Sequence, residues 1–513
     1  VPEARNVLFI TLDQFRGDGL SAAGHPVVRT PNLDRLAAEG VLFRRHFSQA
    51  APCSPGRASL YTGLYQLNHR VCLNGTPLDA RFTNVALEAR ALGYDPALFG
   101  YTDQSVDPRT VADDDPRLLT YEGVLPGLQA VVDLTEDLGP WLTWLATKGY
   151  DIPDNGRDIY LPADGAPERD SSTEPGASNA PTVYAAEHSE AAFLVGELTE
   201  WIDGQADGPW FAHAAFIRPH PPYIAPEPYN TMYDPADDAM PMPVRAATPD
   251  AEGAQHLFAS FVVNTPGLAA PRGERETRQL RATYYGMQSE VDAQVGRLVA
   301  HLEARGILDD TLIVVGSDHG EMLGDHWLTQ KLGYWDSAYH VPLIVRDPRP
   351  ESDATRGAQV QHFTENVDVM PTIVEWMGGE VPAQCDGRSL LPFLRHGAPD
   401  NWRTETHFEF DFRDPVNHGP ESLLGVTSEQ CCLTVLRDDH GKYVHFAAMD
   451  PLFFDLDDDP AQLVNRADDP AYANDVLAYA QRMLSWRMRH TDRTLTGAFL
   501  APEGVTVRQD PRV

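Results

Sequence analysis

The chain has 513 residues, 42% of them hydrophobic and 22% charged, which is enough to bury one large core or two unequal ones and is unlike a disordered composition. Its 75 acidic against 40 basic residues leave a formal charge of −35, so the average field repels nucleic acid and anionic lipid unless a local cationic pocket overrides it. The five cysteines (Cys53, Cys72, Cys385, Cys431 and Cys432) are widely spread without CxxC spacing, which argues against a disulfide framework or a zinc ribbon and points to a reducing cytoplasm.

The first apolar run, VLFITL from Val7 to Leu12, is too short for a membrane span or a signal peptide and reads as a buried strand ending at Asp13. No later segment is long enough to span a membrane either. TPNLDRLAAEG follows with helical spacing. In APCSPGRASLYTG, residues 51–63, Pro55 suits the first turn of a helix and Gly63 its end. Cys53 then sits at the helix N-terminus, where free N–H groups favour an anion and depress a thiol's pKa, with Arg57 one turn on along the same face. A buried structural cysteine beside a surface arginine is the plain alternative. Two Pro-rich polar stretches, starting at Asp151 and at Arg218, cannot be regular elements; loops of that length either cover a site or mediate subunit contacts.

Further on, ATYYGMQSEVDAQVGRLVAHLEARG is a long helical stretch, TLIVVGS a buried strand running into Asp318 and His319, and VPLIVRD another strand. This alternation predicts an α/β fold with a mostly parallel sheet over residues 1–380. The character changes near residue 380. Residues 381–513 carry shorter strands, CCLTVLRD and KYVHFAA, and a helix around YANDVLAYAQRMLSWRMRH, and read as a smaller α+β subdomain with an antiparallel sheet, a closing helix and a tail. Loops leaving the carboxyl ends of parallel strands form the ligand crevice. Asp13 and the pair Asp318 and His319 are therefore candidate metal ligands, although each alone is also an ordinary cap or turn residue.

CxPxR followed by ASLYTG resembles the signature of the sulfatases, the formylglycine branch of the alkaline phosphatase superfamily. TPNLDRLAAEGVLF, TLIVVGSDHGEMLGDH, Lys331, VPLIVRD and NVDVMPTIVEWMGG are similar to that family in the same order, over nearly the whole chain. LDQFRGD, GYDPALFGYT, RPHPPY, LLPFL and PLFFDL resemble in particular the phosphonate monoester hydrolases and their arylsulfatase relatives. The resemblance implies an alkaline-phosphatase-like sheet sandwiched by helices and one divalent metal bound by Asp13, the modified Cys53, Asp318 and His319. It also implies that a formylglycine-generating enzyme converts Cys53 to formylglycine, whose hydrated diol attacks sulfur or phosphorus, forms a covalent ester and then collapses to release it. Arg57 then holds the diol, His220 and Lys331 bind substrate oxygens and protonate the leaving oxygen, and Asn74 and Tyr101 lie near substrate oxygens. His319 stands where many sulfatases have an asparagine, which favours Mn²⁺ or Zn²⁺ over Ca²⁺ or Mg²⁺; Gln14 stands where many have a second aspartate.

Two departures bear on the substrate. Typical sulfatases carry a lysine and a histidine in the region that here reads FGYTDQS, and their loss suits a monoanion better than a dianion. Asp103 replaces a threonine of the phosphonate hydrolases and sets a carboxylate near an anionic substrate. The expected activity is hydrolysis of sulfate monoesters of the arylsulfatase type, with promiscuous phosphonate monoester and phosphodiester hydrolysis. The alternative puts phosphonate monoesters first, and a remote one is an inactive family member acting as a binding protein. Expected partners are small-molecule sulfate or phosphonate esters, no nucleic acid, no membrane, and a second copy of the chain in a dimeric or tetrameric homo-oligomer.

Overall fold

In β1 (Asn6–Leu12), Leu8, Ile10 and Leu12 enter one apolar core while Val7 and Phe9 enter another, the two-sided burial that a central parallel strand requires. The computed structural model describes residues 6–135, 137–163, 179–205, 208–493 and 495–507. Around β1 it assembles β2 (Val41–Phe47), β4 (Ala97–Gly100), β5 (Gln129–Asp133), β6 (Phe211–Phe216), β7 (Thr311–Gly316), β8 (His340–Arg346) and β9 (Ala358–Glu365), with β3 (Ala50–Ala51) going elsewhere. The sheet has eight strands in the order β5-β4-β6-β1-β7-β8-β2-β9. Only β8 runs against its neighbours β7 and β2; the remaining pairs are parallel.

Helices cover both faces with stripes of apolar residues three and four apart. Glu274–Ala304 contributes Val291, Val295 and Leu298 to one core, joined by Leu33 and Leu36 of Pro31–Glu39. Cys53–Thr62 and Val369–Trp376 pack on the other face through Leu60, Tyr61, Met370 and Ile373.

A second sheet of five strands has the order β13-β12-β11-β10-β3. Its β10 (Thr406–Asp411), β11 (Cys432–Arg437), β12 (Gly441–Phe446) and β13 (Leu452–Asp455) are antiparallel. The helix Ala473–His490 packs Tyr479 and Met483 against its Leu436, Tyr443 and Phe453. β3 joins its edge in parallel with β10, pairing Ala50 with Glu409 and Ala51 with Phe410. The chain just before Cys53 is thus tied to the second sheet while Cys53 itself opens a helix against the first.

Of the Pro-rich stretch starting at Asp151, residues 164–178 lie outside the described residues; the part before them has a single short turn, Gly156–Tyr160. The stretch starting at Arg218 carries only Tyr229–Thr231. No described helix is long and apolar enough to cross a membrane.

Candidate active site

Register brings the first two acidic groups together. Thr11 of β1 pairs with Gly316 of β7, so Asp13 and Asp318, each two residues further on, leave adjacent strands at the same end. The Asp13 N–H still bonds the Phe216 carbonyl at the end of β6, at 2.9 Å. The helix Cys53–Thr62 points its first residue at this edge and ends at Gly63, whose left-handed φ of 69° lets its N–H return to the Ser59 carbonyl. Its approach needs a residue without a side chain, since a Cβ on Gly56 would stand 2.7 Å from the Asp318 carbonyl oxygen. Ser48 fastens the same loop, donating to that carbonyl at 2.5 Å.

Arg57 lies wholly buried beneath the cluster. It donates from Nη2 to Asp13 and from Nε to Asp318, both at 2.9 Å, and from Nη1 to the Tyr101 carbonyl at 2.8 Å. The Tyr101 ring supports the guanidinium at 4.0 Å, and its hydroxyl donates to Asp13 Oδ2. Tyr101 is thus bonded to the aspartate and also lines the cavity that opens above the cluster. Although burial alone opposes ionisation, the basic side chains around Asp13 hold its carboxyl well below the ordinary range.

One ligand-type atom from each of Asp13, Cys53, Asp318 and His319 lies within 4.8 Å of all the others. His319 Nδ1 faces the Gly320 carbonyl at 3.1 Å, an acceptor, so Nδ1 carries the hydrogen and the Nε2 lone pair points to Cys53 Sγ at 3.2 Å. Asp13 Oδ1 is buried without a hydrogen-bond partner among the described residues, a costly arrangement unless a cation faces it. Two carboxylates, an imidazole nitrogen and residue 53 around one point suit a divalent metal. Gln14 stands outside this set. With φ of 65° it turns its side chain away, donating to Glu321 and accepting from Lys331 at 2.7 Å.

The Cys53 thiol departs from the sequence expectation. Burial, followed by the charge of Asp13, pushes it well above its ordinary pKa, which overrides the helix N-terminus because a thiolate here would face two carboxylates.

Above the cluster opens a cavity of about 460 Å³. Lys331 and His220 meet on its wall, Nζ to Nε2, at 2.9 Å. His220 Nδ1 donates to the Pro221 carbonyl at 2.7 Å, so Nε2 is the acceptor and the lysine the donor. Burial and then Lys331 hold His220 down to about 3, which keeps the imidazole neutral. Burial also works against the Lys331 ammonium, but the carboxylates of Asp13, Asp318 and Glu321 hold its pKa above the usual value. Asn74 lines the cavity and accepts from the Ser54 N–H at 2.9 Å. Asp103 is buried in the wall 3.9 Å from Arg57 Nε. Burial pushes its carboxyl up to about 7 against the pull of Arg57, helped by Asp13, Glu122 and Asp318.

Sequence reasoning missed Arg157, which lines the exposed mouth of this cavity, and Glu122 on its wall. Arg157 belongs to the Pro-rich stretch from Asp151, whose length was the available signal; Glu122 carried none.

A family model described as Sulfatase matches residues 5–379, and one described as the C-terminal part of N-sulphoglucosamine sulphohydrolase matches 324–489. The multifunctional alkaline phosphatase superfamily protein PehA of Trinickia caryophylli is 44% identical over 98% of this chain and 99% of its own length. The arylsulfatase of Clostridium perfringens is 26% identical over 91% of each. The crystal structure of the phosphonate monoester hydrolase of Agrobacterium radiobacter superposes with a TM-score of 0.93 at 46% identity, covering 99% of this chain and 100% of the other. The phosphonate monoester hydrolase of Silicibacter pomeroyi gives 0.91 at 41% identity, covering 98% and 99%.

Proposed function

This chain belongs to the sulfatase family of the alkaline phosphatase superfamily, and from that premise we propose that it hydrolyses phosphonate monoesters and phosphodiesters first and sulfate monoesters second. The ranking reverses the one expected from the sequence, because relatives at 41% and 46% identity over the whole chain are phosphonate monoester hydrolases while the arylsulfatase stands at 26%.

The charge of the cavity carries the choice of a monoanion. Arg57 is taken up by Asp13, Asp318 and the Tyr101 carbonyl. Beside the cluster, Lys331 is then the ammonium that meets a substrate oxygen, with Asp103 and Glu122 on the same wall. The carboxylates on the wall oppose a second negative charge on the substrate, which suits a phosphonate monoester or a phosphodiester better than a dianion.

In this reading Cys53 is matured to formylglycine by a formylglycine-generating enzyme, and its hydrated form presents the attacking hydroxyl. A divalent metal held by Asp13, Asp318, His319 and residue 53 supplies Lewis acidity there; Mn²⁺ or Zn²⁺ suits the imidazole in the donor set better than Ca²⁺ or Mg²⁺. Arg57 keeps its charge beneath residue 53 and fixes both aspartates. Lys331 binds the substrate and passes a proton to the departing oxygen, while His220, neutral and with its own N–H on Pro221, orients the ammonium. The exposed Phe499 and Leu500 of the hairpin Ala498–Ala501 and Gly504–Val507 support a homo-oligomer, which light scattering tests.

The deciding experiment compares kcat/KM for an aryl phosphonate monoester and the matching aryl sulfate on one metal-loaded preparation, with maturation of residue 53 read by peptide mass. The phosphonate ester is expected to be favoured at least about tenfold, near 1.4 kcal/mol. Preference for the sulfate would overturn the ranking.

A further inference from the structure

A second space lies beside the reaction cavity at Lys331. It is a groove of about 830 Å³, and the two share their dividing wall: Pro52, Leu268 and Lys331 line both. The same chain segments serve each side in turn. Asn74, Gly267 and Gln330 face the reaction cavity, whereas their neighbours Leu73, Pro266 and Leu332 face the groove.

The two spaces differ in chemistry. The groove runs between the helix Leu257–Val263, the helix Gly419–Leu424 and the end of β10, and is lined by Phe258, Phe261, Val262, Phe410 and Phe412. Its arginine, Arg413, is paired with Asp411 at 2.8 Å. At the rim Leu257 and Leu423 are 54% and 72% exposed, so apolar surface faces water in a chain whose formal charge is −35. A space of this size and lining takes an apolar group of drug-like dimensions. Lys331 is the polar one of the three residues that line both spaces, so a group on an ester oxygen held by its Nζ would start beside the groove.

We propose that this groove binds the organic group on the ester oxygen, and that the substrates of this protein are monoanionic esters of bulky apolar alcohols such as long-chain alkylphenols. The proposal rests on the reading above, in which Lys331 meets the departing oxygen. It assigns to Phe258, Phe261, Leu257 and Leu423 a part in substrate selection that the chemistry at residue 53 does not require.

The test uses 4-alkylphenyl methylphosphonates from methyl to hexyl, in which leaving-group acidity stays nearly constant while apolar length grows. In the mature metal-loaded protein kcat/KM should rise by up to about fourfold for each methylene that enters the groove. In Leu257→Asp and Leu423→Asp, whose side chains are at the exposed rim, the rise should flatten while the 4-methylphenyl ester is turned over within about twofold of the parent. A flat series in the parent, or an equal rise in both variants, overturns the proposal; a flat series in a protein whose mass shows a second copy closing the groove does so too. Titration calorimetry with 4-hexylphenol separates this from failure of the proposed activity. Even if no ester is hydrolysed, the alcohol should bind the parent and bind both variants at least about tenfold more weakly, and equal binding to all three would refute the groove.

Discussion

The floor and the wall of the reaction cavity are built differently. The floor (Asp13, Cys53, Arg57, Asp318, His319) comes from the ends of two adjacent parallel strands and the start of one helix, and every one of these side chains is buried. The wall (Asp103, Glu122, Arg157, His220, Lys331) comes from loops, and its members range from the buried Asp103 to the exposed Arg157. Regular elements fix the geometry of the floor, while the wall is free to vary in charge.

The contrast is broken most severely at residue 53. Cys53→Ala should lower kcat at least about 10⁴-fold for phosphonate and sulfate esters alike, measured on metal-loaded protein; a variant that keeps its activity removes residue 53 as the nucleophile. Lys331→Ala should cost roughly 10²-fold to 10⁴-fold, and the cost should grow from a 4-nitrophenyl to a phenyl ester because the poorer leaving group depends more on the donated proton. An equal loss on both would leave Lys331 with binding alone.

Asp103 sharpens the comparison through pH. Its carboxyl is raised to about 7, so it is neutral below that pH and adds a negative charge facing a monoanion above it. The profile of kcat/KM in the parent should fall above about pH 7, by at most about tenfold per unit, and Asp103→Asn should remove that limb; an unchanged limb would assign it elsewhere. The stability sign agrees. A folded pKa above the unfolded one means that the contribution is full below 3.8 and lost as pH rises through about 7, so Asp103→Asn should unfold at a higher temperature than the parent at pH 8. The smallest effect belongs to Arg157 at the mouth. Arg157→Ala should raise KM by less than about fivefold and by still less in high salt, because exposed charges are screened.

Much of the floor was legible in the sequence. The buried strands are continuous apolar runs, so the polar residues that end them stand out, and Pro55 and Gly63 bracket the helix that starts at Cys53. The wall was less legible. Asp103 could be noticed as a carboxylate in an odd place, but its protonation depends first on burial and then on Arg57, Asp13, Glu122 and Asp318, which come from separate segments. The thiol expectation failed for the same kind of reason. A helix N-terminus is a local property, while burial and a neighbouring aspartate are not.

The amino-acid sequence by itself determined the α/β alternation, the helix at residue 53 and the polar residues at the strand ends, because strand and helix periods and Pro and Gly punctuation act over a few neighbouring residues. Only the tertiary structure decided that Gln14 turns from the metal-type cluster to Lys331, that β3 pairs with β10, and that an apolar groove shares a wall with the reaction cavity. These depend on packing among residues hundreds of positions apart, where burial and electrostatic neighbours are set by the whole fold.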